Sequence, residues 1–214
     1  MNGVSLSKST VEKDLGVLVD ENLNFDEHIT AITKKANQIS GMILHNITNR
    51  DKYIMVPLFK ALVRPILEYA NVVWCPSFKK DKDKVEKVQR RFTKRIKGMK
   101  DLSYEDRLRA LKLPSLQFRR LRGDLIEVYK AVHHVNDPCT TSSLFNMHGN
   151  TCTRGHDFKL VKSRTTNNKH ANFFTNRITN QWNNLPVSVA NAGTLCTFKV
   201  NIDNFLSSLY YVTN

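Results

Sequence analysis

Apolar residues along most of this chain recur at intervals of three and four positions, the spacing of amphipathic helices. The exception comes early, where Leu15, Val17 and Val19 occupy alternate positions and predict a short strand, half of a hairpin. Asn24 and Glu27 then have the spacing of a capping pair, so we expect the first helix to begin there. The apolar stripe of that helix consists of Ile29, Ile32, Ala36, Ile39 and Ile43.

Prolines and polar residues divide the helical pattern that follows. A second helix is predicted over 53–70, and Pro57 and Pro65 should start or kink it because neither has a backbone N–H. Ser103, with Asp106 as its capping partner, predicts the start of a short helix.

The second half of the chain predicts further helices on both sides of a polar stretch. Pro114 is suited to the first turn of a helix that runs to about His133. Residues 136–153 are polar and typical of a linker. The tail predicts an extended piece over 156–163 and helices over 172–185 and 198–211.

The segment "KVQRRFTKRIKG" (87–98) has six basic side chains and no acid. At helical spacing its neighbourhood forms an amphipathic helix with an almost purely cationic polar face. The apolar side consists of Val85, Val88, Phe92, Ile96 and Met99. The cationic side consists of Lys87, Arg90, Arg91 and Lys94, with Arg95 and Lys97 at its edges. The pattern predicts that the apolar side packs on the core and the cationic side binds a partner.

The net charge of +14 is concentrated around this segment. Residues 79–122 carry seventeen basic and six acidic side chains, whereas residues 1–78 carry eight of each. Positive charge localised in this way favours a polyanion, and nucleic acid is the commonest one. Arg119, Arg120 and Arg122 are expected to extend the positive surface. The alternative is that the acids at 81, 83 and 86, or others elsewhere, fold back and neutralise the helix.

Known catalytic and metal-binding patterns are nearly absent from the sequence. There is no adjacent pair of aspartates, which two-metal polynucleotide chemistry often uses, and no glycine-rich phosphate loop. Cys139, His148, Cys152 and His156 could form a zinc site, but without a CxxC half this hypothesis is weak.

The remaining composition narrows the class of protein. The four cysteines are far apart in sequence, as expected of a reduced intracellular protein, nuclear or cytoplasmic. The N-terminus has no apolar core typical of a signal peptide, and no window approaches the length of a membrane span, so we expect no membrane partner.

Six strings of this sequence are informative as an ordered set. They are "EKDLGVLVDENLNFDEHI" (12–29), "LVRPILEYANVVW" (62–74), "VEKVQRRFTKRIKG" (85–98), "LSYEDRLRALKLPSLQFRRLRGDLIEVYK" (102–130), "RGHDFKL" (154–160) and "FFTNRITNQWNNLP" (173–186). In this order they resemble the end of the open reading frame of LINE-type (non-LTR) retrotransposons, the jockey-like endonuclease–reverse transcriptases. The resemblance covers about residues 6–206.

The resemblance implies a position within the parent polymerase. There the catalytic palm, with its Phe/Tyr-x-Asp-Asp turn and its Mg²⁺, lies upstream of the "DLGV" string, and the endonuclease lies further upstream. No catalytic residue or metal ligand of the parent matches a position here, so we expect this chain to be inactive on its own and to use no cofactor. The helices would correspond to the thumb and C-terminal region.

Together these patterns predict a mainly α fold, a helical bundle preceded by a short β-strand or hairpin, with a small α-rich C-terminal region. The expected divisions are 1–25 for the end of the palm, 26–135 for a thumb-like basic bundle, 136–153 for a linker and 154–214 for the C-terminal region.

The sequence supports two classes of function. The first is a fragment of a retrotransposon reverse transcriptase that binds RNA, an RNA–DNA hybrid or DNA through phosphates. The second is a host-retained helical module that binds an acidic protein partner or chromatin. The sequence leaves the oligomeric state open. The candidate binding residues are Lys87, Arg90, Arg91, Lys94, Arg95, Lys97, Arg119, Arg120 and Arg122.

Overall fold

The computed structural model describes residues 9–135, 144–148, 155–165 and 168–212, and it is mainly α, as the sequence predicts. The described part begins with an antiparallel hairpin, in which β1 (Val11–Asp14) pairs with β2 (Val17–Asp20). Leu15, which the alternation placed in a strand, lies instead in the turn between the two strands. Its φ of 43° is left-handed and its side chain is 83% exposed, because the chain reverses direction at this point.

Helix α1 (Asp26–Asn46) follows the hairpin, and its apolar stripe faces the core as predicted. The predicted capping role of Asn24 was wrong, since no side chain caps the helix and Phe25 precedes it in a left-handed conformation. The carboxylate of Asp20 holds this entry instead. It accepts hydrogen bonds from the backbone N–H groups of Asn22 at 2.9 Å, Asn24 at 3.2 Å and Phe25 at 2.6 Å.

The predicted second helix is present but irregular. It consists of α2 (Lys52–Leu58), a π-helical turn (Phe59–Val63) and α3 (Arg64–Glu68), and a short α4 (Asn71–Trp74) follows. Pro57 lies inside α2 and Pro65 in the first turn of α3, so the two prolines flank the π-helical turn. The irregularity lies where the missing N–H groups weaken the helical ladder.

The basic helix and its neighbours form the next group. They are α5 (Lys79–Lys94), α6 (Tyr104–Leu111) and α7 (Leu116–Val132). The Ser103 hydroxyl accepts from the Asp106 N–H at 3.2 Å, which confirms the predicted cap of α6. The sequence predicted that Pro114 would lie in the first turn of α7, but Pro114 lies before the helix. Ser115 caps that helix instead, because its hydroxyl accepts from the Phe118 N–H at 3.2 Å.

The C-terminal region is rich in short helices. They are α8 (Asn168–Asn172), α9 (Phe174–Asn183), α10 (Val187–Ala190) and α11 (Leu195–Phe205), followed by a 3₁₀ turn (Ser207–Leu209). The extended piece predicted over 156–163 contains an isolated antiparallel bridge between Leu160 and Met147. Most of the predicted linker, 136–153, lies outside the described residues, and the predicted domain boundaries stay predictions.

Two clusters of buried apolar side chains form the interior. The first contains Trp74, Val85 and Phe92 and ends in sequence at Leu116. The second begins at Phe118. Leu116, the first residue of α7, lies in the first cluster, whereas most other buried residues of α7 lie in the second. Helix α7 therefore connects the N-terminal helices to the C-terminal helices.

A buried ion pair reinforces this junction. Arg177 of α9 donates to the Asp124 carboxylate of α7 at 3.1 Å and to the backbone carbonyl of Val72 at 2.8 Å. Asp124 is buried, and burial raises its pKa from 3.8 to about 6, although Arg177 acts in the opposite direction. The neutral carboxyl is therefore favoured in the fold more than in the unfolded chain.

We predict that Asp124 makes the protein less stable as the pH rises from about 4 to about 6. The folded state binds a proton on Asp124 more tightly than the unfolded chain does, so this group stabilises the fold below its unfolded pKa. That contribution, up to about 3 kcal/mol, is lost as the pH rises through its folded pKa. Urea unfolding across this range should show the loss in the wild type and not in Asp124→Asn. Parallel pH profiles of the two proteins would contradict the assignment.

Candidate nucleic-acid interface

Helix α5 is fixed by its apolar side. Val85, Val88 and Phe92 are at most 1% exposed and lie in the first cluster with α1. The Phe92 ring packs against Phe59 of the π-helical turn, with ring centroids 5.0 Å apart. Ile96, beyond the last helical residue, is also buried. The sequence therefore predicted the buried side of this segment correctly, although the helix ends at Lys94 and not near Met99.

Glu86 is the single acid between residues 84 and 100, and it points into the protein. Its carboxylate accepts from the Tyr104 hydroxyl at 2.5 Å and from the Leu116 N–H at 3.1 Å, so it joins α5 to α6 and α7. Burial raises the pKa of Glu86, while the Tyr104 hydrogen bond lowers it. Because its partners are inside, Glu86 cannot neutralise the cations on the outer face of α5.

The outer face carries all six cations of the 87–98 segment. Each side chain is exposed, and within the described residues none forms an ion pair. The Arg90 guanidinium lies 4.9 Å from the centroid of the Tyr104 ring, which orients it without removing its charge. We call these six residues the α5 ridge: Lys87, Arg90, Arg91, Lys94, Arg95 and Lys97.

The acids near the start of α5 form no ion pair with the ridge in the described residues, although Asp83 is exposed and lines the same surface depression as Lys87 and Arg90. Asp81 is buried, and burial raises its pKa. Lys84 pairs with Asp26 of α1, with Nζ to Oδ1 at 3.4 Å, and donates to the Thr30 hydroxyl at 2.8 Å. In the described residues, the neutralisation that we considered from the sequence is therefore not found.

A groove of about 770 Å³ runs between the ridge and α1. Its wall on α1 includes Asn37, Ser40 and Gly41. Six cations line it, namely Arg50, Arg91, Lys94, Arg95, Lys97 and Lys100, and its lining contains no acid. Sequence reasoning missed Arg50 and Lys100. The "KGMK" run signals Lys100, but nothing near Arg50 in the sequence shows that it reaches this groove.

Three of the predicted binding residues do not belong to this surface. Arg119 forms a two-pronged ion pair with Glu68, with Nη2 to Oε2 at 2.7 Å. Arg122 pairs in the same way with Asp203, at 2.5 and 2.9 Å. Arg120 is only 4% exposed. Carboxylates distant in sequence hold Arg119 and Arg122 between helices, whereas Arg120 is buried and its Nη1 has no hydrogen-bond partner in the described residues.

The zinc hypothesis has no support in the described residues. Cys139 and Cys152 lie outside them, and His156 is buried, with Nε2 at 3.1 Å from the Trp182 carbonyl oxygen. The described ranges contain no cluster of three or more His, Cys, Asp or Glu side chains that could hold a metal. No helix in those ranges is both long and apolar enough to cross a bilayer.

Comparison with known proteins gives one weak similarity. The chain is 24% identical over 125 residues, 57% of its length, to an uncharacterized protein of Caenorhabditis elegans. It spans about three fifths, 61%, of the length of that relative. No protein-family model matches the chain, and no solved structure matches it.

We predict that Arg119 stabilises the fold and does not bind a ligand. Arg119→Gln should lower the free energy of unfolding by about 1–3 kcal/mol, because it leaves the half-buried Glu68 without its main partner. Arg90→Gln, on the exposed ridge, should change it by less than about 0.5 kcal/mol. Urea denaturation measures both. An unchanged stability in Arg119→Gln would show that the Glu68 pair has no structural role.

Proposed function

We propose that this chain binds nucleic acid through its phosphates, as the part of a LINE-type reverse transcriptase that follows the palm. The observation that carries the binding role is the α5 ridge, six exposed cations that have no carboxylate partner among the described residues. The relation to reverse transcriptases is supported by the six ordered sequence strings and by the succession of a hairpin and a helical bundle.

The form of the ridge favours contact with the backbone of nucleic acid and not with base edges. Lysine and arginine side chains on an exposed helix face reach phosphates without a fixed geometry, which gives affinity and little sequence information. The buried apolar side of α5 holds the helix in place, so the cations can approach a phosphate chain together. Binding is therefore expected to depend strongly on salt and weakly on sequence.

The residues present do not fit the Mg²⁺ ions that reverse transcriptases use. The sequence contains no adjacent aspartates, and the described residues contain no cluster of candidate ligands. The proposal therefore assigns this chain a binding role and no polymerisation step.

We predict a steep salt dependence that arises from the ridge. If four to six phosphates are neutralised, the logarithm of the affinity for an RNA–DNA hybrid should fall with log salt at a slope of about −3 to −5. Replacing Arg90, Arg91, Lys94 and Arg95 by Gln should make this slope shallower by about 3. Fluorescence anisotropy titrations at several salt concentrations measure it.

The matched control removes four exposed positive charges elsewhere, Lys13, Lys60, Lys162 and Arg164. It has the same net charge as the ridge variant, so its slope should stay near that of the wild type. Equal slopes for the two variants would mean that overall charge, and not the ridge, determines binding. If an acidic protein is the natural partner instead, its complex should survive excess RNA.

We further predict that the purified chain, given primer, template, Mg²⁺ and nucleotides, extends no primer, because its described residues contain no carboxylate set for the metal ions. A gel-based extension assay tests this, with an active reverse transcriptase as the positive control. Extension that persists after repeated purification would contradict the proposal.

A further inference from the structure

The groove between α1 and α5 differs in shape from the ridge beside it. The ridge is an exposed surface, whereas the groove is a recess of about 770 Å³. The groove shares Arg91, Lys94, Arg95 and Lys97 with the ridge. Its cations converge on one narrow volume without an acid among the lining residues. Mutual repulsion of these charges is relieved when a chain of phosphates enters.

The size of the groove selects the form of nucleic acid. Its volume of about 770 Å³ lies in the range of pockets that hold small ligands. A double helix, whose major groove alone is about 12 Å across, is too large to lie inside such a recess. A duplex can lie against the ridge but cannot enter the recess. One extended strand can enter it.

The lining indicates which part of that strand faces inward. Phe92, an aromatic residue in the lining, is 1% exposed and gives bases no surface on which to stack. The Ser40 hydroxyl already donates to the Ala36 carbonyl at 2.7 Å. With cations at the rim and no stacking platform, the groove suits phosphates and leaves the bases outside.

Backbone contacts fix the end of the groove. The Lys97 N–H donates to the Arg50 carbonyl at 2.9 Å and so joins the turn after α5 to the loop after α1. The Arg50 guanidinium in turn makes a long contact with the Leu44 carbonyl, at 3.5 Å. The backbones of two groove residues distant in sequence are thereby held together before any ligand binds.

We propose that this groove binds a single unpaired strand of RNA or DNA through its phosphates. The inference rests on the proposed function and deepens it. The ridge takes any phosphate surface, while the groove admits a strand only where it is not paired. An overhang or a displaced strand next to a duplex has this form, so one molecule can engage both surfaces.

Gly41 provides a direct test, because a Cβ added there meets nothing within 4 Å. Gly41→Trp places a large side chain in the groove, and Gly41→Ala leaves the groove open; both residues favour helix more than Gly does. The probes are fluorescent oligothymidylate and oligouridylate of about 12 nucleotides and a blunt RNA–DNA hybrid of equal length. Anisotropy gives the affinities, and circular dichroism confirms the fold.

We expect Gly41→Trp to weaken binding of both single strands at least about tenfold, while binding of the hybrid changes less than about twofold. Gly41→Ala should match the wild type with every probe. If Gly41→Trp weakens binding of single strands and hybrid equally, or weakens neither, the groove is not the single-strand site, while the proposed function stands. A wild-type protein that binds the hybrid but no single strand would lead to the same conclusion. A wild-type protein that binds neither probe would overturn both the groove proposal and the proposed function.

A second variant decides the matter if Gly41→Trp fails to fold. Arg50 and Lys100 line the groove but lie outside the α5 ridge. The double variant Arg50→Gln, Lys100→Gln should make the salt slope for single strands shallower by about 1.4 and leave the slope for the hybrid unchanged. Unchanged slopes for both probes would refute the proposal that the groove binds a single strand.

Discussion

The arrangement of the whole molecule depends on how α5 is anchored. Its apolar side and Glu86 point inward, and the Glu86 carboxylate holds the Tyr104 hydroxyl and the first N–H of α7. A buried carboxylate is costly to desolvate unless such donors compensate it. Because its partners are internal, the one acid in this stretch cannot screen the cations outside. The same contacts that join three helices therefore leave the outer face strongly positive.

The positive excess of residues 79–122 has two different roles in the fold. On α5 it forms an exposed surface, but at the start of α7 the arginines join helices, since Arg119 reaches Glu68 and Arg122 reaches Asp203. Along the sequence both groups are clusters of basic residues. What separates them is whether a carboxylate from another helix lies within reach, and that depends on packing. The proposed nucleic-acid interface is therefore smaller than the charge pattern indicates.

Local patterns predicted the parts of the fold that depend on nearby residues. The stripe on α1, the Ser103 cap and the buried side of α5 follow from spacing within one or two turns. The start of α1 could not be predicted in this way, because the Asp20 carboxylate at the end of β2, and not Asn24, accepts from the backbone N–H groups before the helix. Likewise, Arg50 joins the groove through the carbonyl bond to Lys97, which only the packing of two distant turns creates.

The π-helical turn between the two prolines keeps one face of a long helix in phase. Met55, Phe59, Val63 and Leu67 follow one another at intervals of four, and all four are almost completely buried. In a regular α-helix, side chains four apart drift around the axis by about 40° at each step. The wider turn at 59–63 opposes that drift, so Leu67 stays aligned with Met55. Loss of one residue inside the turn would leave these side chains at spacings of four, three and four, which a regular α-helix holds on one face. A deletion here is therefore expected to convert the turn to regular helix, whereas the same deletion within α1 would rotate everything after it away from the interior.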